Sequence, residues 1–184
     1  TDGERRFVFF GKSGVFCFDL DGNELWHTSV GMGTNGWGSG NSPVLYKNTV
    51  IINASIESGS LVALDKMTGK EIWRAGGIGS SWNTPVLTDV PDGEPELVVS
   101  VSDRLLGFHP DTGKGLWQAE GIHRYVCPSV VTHQGVVYAI GGYSGGGLSK
   151  VEVYNPAMNV WATKAPLPAA RYQSSGTAAI NGVI

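Results

Sequence analysis

The chain has 184 residues, a net charge of −3 and only 16% charged side chains. That length suffices for one domain with a real core. The sparse charge excludes the clustered basic face that nucleic acid requires, and no stretch approaches the ~20 apolar residues of a membrane span.

The 27 glycines fall between apolar runs and read as turns. Residues 1–31 predict three strands: RRFVFFG, GVFCFDL and NELWHTS. Cys17 lies in the second and Cys127 far downstream, both expected as buried free thiols, since neither belongs to a CxxC or a His/Cys cluster. DLDGNE (residues 19–24) lacks the twelve-residue spacing and final glutamate of a calcium loop and reads as a hairpin turn with Gly22 at positive φ. GMGTNG (31–36) spells GxGxxG, but WGSGNSP follows in place of a helix, so dinucleotide binding is not expected.

Residues 42–75 hold a complete unit. SPVLYKN, TVIINAS, SLVALD and KEIWRA are short, β-branched or alternating, and KMTG supplies a turn before the last. Asn53 opens a glycosylation sequon, but at a predicted strand, where modification is not expected. A second unit spans 84–119 and a third 128–164, with no window of helical period. GYSGG (142–146) spells GxSxG, yet Ser144 falls in a hairpin loop with no partner histidine in view. SSGTAAIN, within 172–184, predicts one further strand.

The units repeat. Trp26, Trp73, Trp117 and Trp161 are spaced 47, 44 and 44 residues apart, each ending a similar phrase. Four short strands per ~44 residues mark a β-propeller blade, an all-β architecture. A blade cannot bury both faces alone, so blades stack, and each tryptophan is expected to pack on a neighbouring blade as a structural residue. The reading is four blades' worth in a single propeller domain: three complete, and one split between residues 1–31 and a closing first strand at 172–184. Deleting 172–184 would then cost a hydrogen-bonded ladder and the burial of Ile180, roughly 1.5–3 kcal/mol for that side chain alone.

ALDKMTGKEIW and GFHPDTGKGLW resemble the PQQ-like propeller repeats of quinoproteins and BamB-type proteins, over residues 1 to about 140. From about 136 the chain resembles a kelch repeat: VVYAIGG carries a Gly141–Gly142 doublet, VEVYNP carries Tyr154, and Trp161 follows. The resemblance implies propellers of six to eight blades and leans towards a periplasmic or secreted location. It does not carry the cofactor. Quinoproteins of this type hold PQQ with adjacent cysteines, a stacking tryptophan and a calcium carboxylate site, and this chain has no adjacent cysteine pair or acidic cluster. No cofactor, metal or catalytic residue is expected.

One constellation has binding character. The loops entering the innermost strands carry Trp37, Trp82, Tyr125 and Tyr172, with Arg124 and Arg171 beside the tyrosines. Aromatic and arginine residues dominate binding hot spots, although they also cap blade junctions. The expected function is a non-catalytic scaffold with a protein partner or self-association, including a homodimeric ring of eight blades. A closed four-bladed ring and an excerpt of a longer propeller are the other architectures. The rivals in function are part of a quinoprotein-like oxidoreductase and a recombined propeller without an evolved ligand. The change of repeat family at GVVYAIGG, and Thr1 in place of an initiator methionine, fit a hybrid, processed, engineered or excerpted product.

Overall fold

The computed structural model describes residues 1–90, 93–120, 130–141 and 146–171. It is all-β. The strands are β1 (Arg5–Phe9), β2 (Val15–Asp19), β3 (Glu24–Thr28), β4 (Val44–Tyr46), β5 (Thr49–Ala54), β6 (Ser60–Asp65), β7 (Glu71–Gly76), β8 (Val86–Thr88), β9 (Glu96–Val101), β10 (Arg104–Phe108), β11 (Gly115–Glu120), β12 (Val131–His133), β13 (Val136–Ile140), β14 (Val151–Asn155) and β15 (Val160–Thr163). They form antiparallel meanders: β1–β3 is three-stranded among the described residues, and β4–β7, β8–β11 and β12–β15 are four-stranded. These are the blades. The proposed closing strand, 172–184, lies outside the described residues.

Two compact units divide the chain, residues 1–84 with 111–113, and residues 85–110 with 114–184. In the first unit every residue of β5 is buried, as are five of the six in β6. Val50, Ile52, Val62 and Leu64 pack with Phe7, Val15 and Cys17 of the first sheet. Ile51, Leu61 and Ala63 have the opposite parity along their strands and are equally buried. With both faces covered, alternation of polar and apolar residues disappears, which is why these strands read as continuous apolar runs. Each buried Val, Ile or Leu contributes about 1.5–3 kcal/mol of transfer free energy.

The repeated phrase has a geometric cause. Asp65 accepts the N–H groups of Met67 and Thr68 and the Thr68 hydroxyl, which closes the β6–β7 turn. Gly69 then takes φ +70°, and a Cβ there would stand 2.6 Å from Cε3 of Trp26. So Gly69 meets two demands: a left-handed backbone and a seat for the tryptophan of the preceding sheet. Trp26 is held there by its indole N–H, which donates to the Lys66 carbonyl at 3.1 Å, and the Thr28 hydroxyl donates to the Gly69 carbonyl at 2.7 Å. Gly113 repeats the arrangement with Trp73, whose Cε3 would lie 2.4 Å from an added Cβ. The Thr-Gly turn is therefore the receptor for the previous blade's tryptophan.

A bulge accompanies the turn after each of β2, β6 and β10. The register skips one residue opposite Cys17/Phe18, Ala63/Leu64 and Gly107/Phe108. The extra residues are Leu25, Ile72 and Leu116, each about half exposed. The last sheet differs. β14 and β15 pair Tyr154 with Trp161 and Asn155 with Val160 without a skip. No Thr-Gly turn is present there. Trp117 meets the ring of Tyr154, 5.3 Å between centroids, and donates its indole N–H to Glu96 Oε2 at 2.6 Å. Trp161 packs on Tyr154 of its own sheet, 5.1 Å away. The change of repeat family seen in the sequence is thus a change of tryptophan seat.

Two short helical turns were not read from the sequence: a 3-10 turn, Gly11–Ser13, and the single-turn helix α1, Ser55–Ser58. Both are too short to carry a helical period.

Candidate functional site

Four connections of the first unit come together. They are the β1–β2 turn, the long β3–β4 connector, α1 between β5 and β6, and the connector that leaves β7. A buried polar network ties the last three. Asn53 Nδ2 donates to Ser81 Oγ at 2.8 Å and to the Asn83 carbonyl at 2.9 Å. The Ser55 hydroxyl donates to the Ser81 carbonyl at 2.9 Å, and Asn41 Nδ2 donates to the Asn53 carbonyl at 2.8 Å. Paired with carbonyls and hydroxyls in this way, the buried donors fix irregular backbone. Asn53 is fully buried, so the sequon is not a surface acceptor.

The glycines of GMGTNG serve this packing. A Cβ at Gly31 would stand 2.3 Å from the Glu57 carbonyl oxygen, and one at Gly33 would stand 2.4 Å from that of Ile56. Gly33 N–H donates to the Glu57 carbonyl at 2.9 Å. The spacing is that of a strap pressed against α1.

Beyond the strap, Asn35 makes a turn: its side-chain oxygen accepts Trp37 N–H at 2.9 Å, and its carbonyl accepts Gly38 N–H at 2.8 Å. This lifts Trp37 outward, 65% exposed. The Trp82 ring lies 5.4 Å away, tilted by 50°. Its indole N–H donates to the Gly38 carbonyl at 2.8 Å. Two members of the constellation expected from the sequence therefore form one aromatic pair, clamped by the loop it stands on.

Of the other expected members, only Arg171 lies among the described residues. Arg171 belongs to the second unit, where it is exposed. Its N–H donates to the Leu148 carbonyl at 2.8 Å, and its guanidinium donates to the Ala170 carbonyl at 3.1 Å. Arg124, Tyr125 and Tyr172 lie outside the described residues, as do Cys127 and Ser144.

Sequence reasoning missed the neighbouring cavity. It measures about 590 Å³ and is lined by Phe9, Phe10, Gly11, Lys12, Gly33, Thr34, Asn35, Gly38, Ser39, Ile56 and Glu57. Glu57 is only 5% exposed. The Ser39 hydroxyl donates to its Oε1, while Oε2 has no hydrogen-bond partner among the described residues. Glu57 sits in an unremarkable SIES segment, and the only sequence signal of its burial is the glycine pair that makes room for its backbone.

Other titratable groups have structural roles. Cys17 is a buried free thiol whose pKa is raised by burial. Asp19 accepts Asn23 Nδ2 at 2.8 Å and the N–H groups of Asp21 and Asn23, and these bonds lower its pKa. Gly22 takes φ +93° in that turn. Among the described residues no three His, Cys, Asp or Glu side chains gather as a metal site, and no helix is long and apolar enough to cross a membrane.

Comparison with known proteins agrees with the fold. The Kelch motif matches residues 124–168. No curated protein matches the sequence significantly. Among solved structures, BamB from Moraxella catarrhalis superposes with a TM-score of 0.63 at 21% identity, over 90% of this chain and 50% of that one. The quinohemoprotein alcohol dehydrogenase from Comamonas testosteroni gives 0.63 at 16%, over 86% of this chain and 32% of that one. The computationally designed Ika8 protein gives 0.63 at 18%, over 95% and 49%. The chain therefore spans a third to a half of the structures it resembles. The fold is that of a β-propeller, and the resemblances to kelch and PQQ-like repeats both hold.

Proposed function

We propose that this chain is a non-catalytic propeller scaffold that binds a protein partner through the loops around Trp37 and Trp82. The observation that carries the reading is the pair itself: a largely exposed indole, backed by a second ring, on a loop pinned by that second indole's hydrogen bond to the Gly38 carbonyl. A rigid aromatic anchor loses little conformational entropy on binding and buries a large area. The likeness to BamB and to a kelch repeat supports a binding role by fold alone.

Selection of binders from a displayed random peptide library tests the surface. Peptides enriched on the intact chain should lose roughly tenfold or more in affinity with Trp37→Ala, on the order of 1.4 kcal/mol or above. Binders indifferent to both Trp37→Ala and Trp82→Ala would refute it. The oxidoreductase reading has its own assay, dye-linked dehydrogenase turnover with added PQQ and calcium, and reproducible turnover would displace the scaffold reading.

A further inference from the structure

We infer that the cavity beside the tryptophan pair is a receptor for an organic ammonium group carried on a short apolar stem. The inference rests on the cavity alone and stands or falls separately from the scaffold reading. Glu57 is the first ground. Its carboxylate is nine-tenths buried, yet it has one hydrogen-bonded oxygen, shared with Ser39, and one oxygen with no donor among the described residues. A buried acceptor left without a donor is costly, and the cost is larger for a charged one. A ligand that brings N–H donors and a positive charge would remove it.

The walls supply the second ground. Phe10 is more than half exposed at the mouth, and Phe9 lines the same space. Aromatic faces favour a cation electrostatically and take up an alkyl stem through apolar contact. Gly11 leaves the approach bare: an added Cβ there would press on both Ser39 Oγ, at 3.2 Å, and Glu57 Oε1, at 3.3 Å. Ser39, Thr34 and Asn35 offer further oxygens.

Lys12 is the only basic side chain on the lining, and it opposes a cation. It is exposed, so water and salt screen it, whereas Glu57 acts from a low-dielectric floor. The balance of the two charges therefore favours the ammonium, and the direction of the Lys12 effect becomes a test.

The experiment is a titration of the full chain, followed by backbone amide NMR, with n-butylammonium, n-butanol and butyrate. The expected result is saturable shifts at Phe10, Gly11 and Gly33 with n-butylammonium. Binding of n-butanol should be about tenfold weaker or less, the loss of a charge-assisted hydrogen bond. Glu57→Gln should abolish the preference for the cation. Lys12→Gln, a surface change that leaves the fold intact, should tighten n-butylammonium and weaken butyrate. Trp37→Ala should leave the ammonium response unchanged. Equal binding of n-butanol, preference for butyrate, weaker ammonium binding in Lys12→Gln, or no saturable shift with n-butylammonium would each overturn the inference. Loss of peptide binders with an intact ammonium response would count against the scaffold surface only.

Discussion

Asp2 shows how one side chain can tie two sheets. Glu4 and Arg5 N–H groups donate to its Oδ1 at 3.0 and 2.7 Å, and the Lys66 ammonium stands 3.3 Å from Oδ2. Burial alone would raise its pKa, but the backbone donors and Lys66 outweigh it and hold the carboxyl well below the usual carboxylate range. A depressed native pKa contributes stability above the unfolded value, about 3.9, and that stability is lost as pH falls through the native value. Asp2→Asn should therefore lower Tm at neutral pH, with the gap to the parent chain closing below pH ~4. A gap independent of pH would show that the carboxylate charge is not what matters. Glycines offer a second test. Gly69→Ala meets both a left-handed backbone and the Trp26 ring, whereas Gly22→Ala meets only the backbone, with nothing within 4 Å. We expect about 1–2 kcal/mol for Gly22→Ala and roughly 2–5 kcal/mol for Gly69→Ala, read from denaturant midpoints. Equal losses would remove the tryptophan seat from the account.

Among the elements, the outer strands carry the difference between the two repeat types. In β3, β7 and β11 a bulged residue precedes the tryptophan, and the residue opposite that tryptophan is small: Cys17, Ala63 or Gly107. In β15 there is no bulge, and Tyr154 fills the opposite position. The bulge sets which face the tryptophan takes, because strand side chains alternate. Deleting Ile72 should remove the bulge and force either a register slip or loss of the Trp73 seat. The expected cost is about 3–5 kcal/mol, the scale of losing a buried tryptophan. A loss below about 1 kcal/mol, the scale of a surface change, would show that the bulge has no such role. Tyr154→Phe in the kelch-type sheet should cost about 1 kcal/mol, since it removes only the hydroxyl's bond to Asn159 Oδ1 at 2.9 Å.

For the whole molecule, unpaired blade edges favour association. The chain superposes on about half of BamB and half of Ika8. We propose that two copies associate, so that eight sheets share one ring and sheet edges find partners, in an isologous arrangement. Light scattering on a sizing column checks this directly. A stable species of twice 19.5 kDa is expected. A compact, cooperatively melting monomer would overturn the dimer in favour of closure within one chain.

Much of the fold was legible in the sequence, because a repeat writes its period into every unit. The tryptophan spacing, the Thr-Gly phrase and the β-branched runs determined strands, turns and blade type, since each depends on neighbours within a few residues. The kelch-type change was legible for the same reason. Trp37 and Trp82 were legible as candidates, though not as a pair. Their contact joins residues 45 apart on two connectors that meet over α1, and no local pattern encodes that meeting. The roles of Gly31 and Gly33 were hidden likewise: close backbone approach and phosphate cradling call for the same residue, and only tertiary packing separates them. Glu57 was least visible. A glutamate in a short polar segment is ordinarily solvated, and what buries this one is a strap and a turn brought in from elsewhere in the chain. The repeating architecture follows from the order of residues, because propensity and periodicity act between near neighbours. Where its polar and aromatic side chains converge follows from packing, because convergence is set by contacts between distant segments.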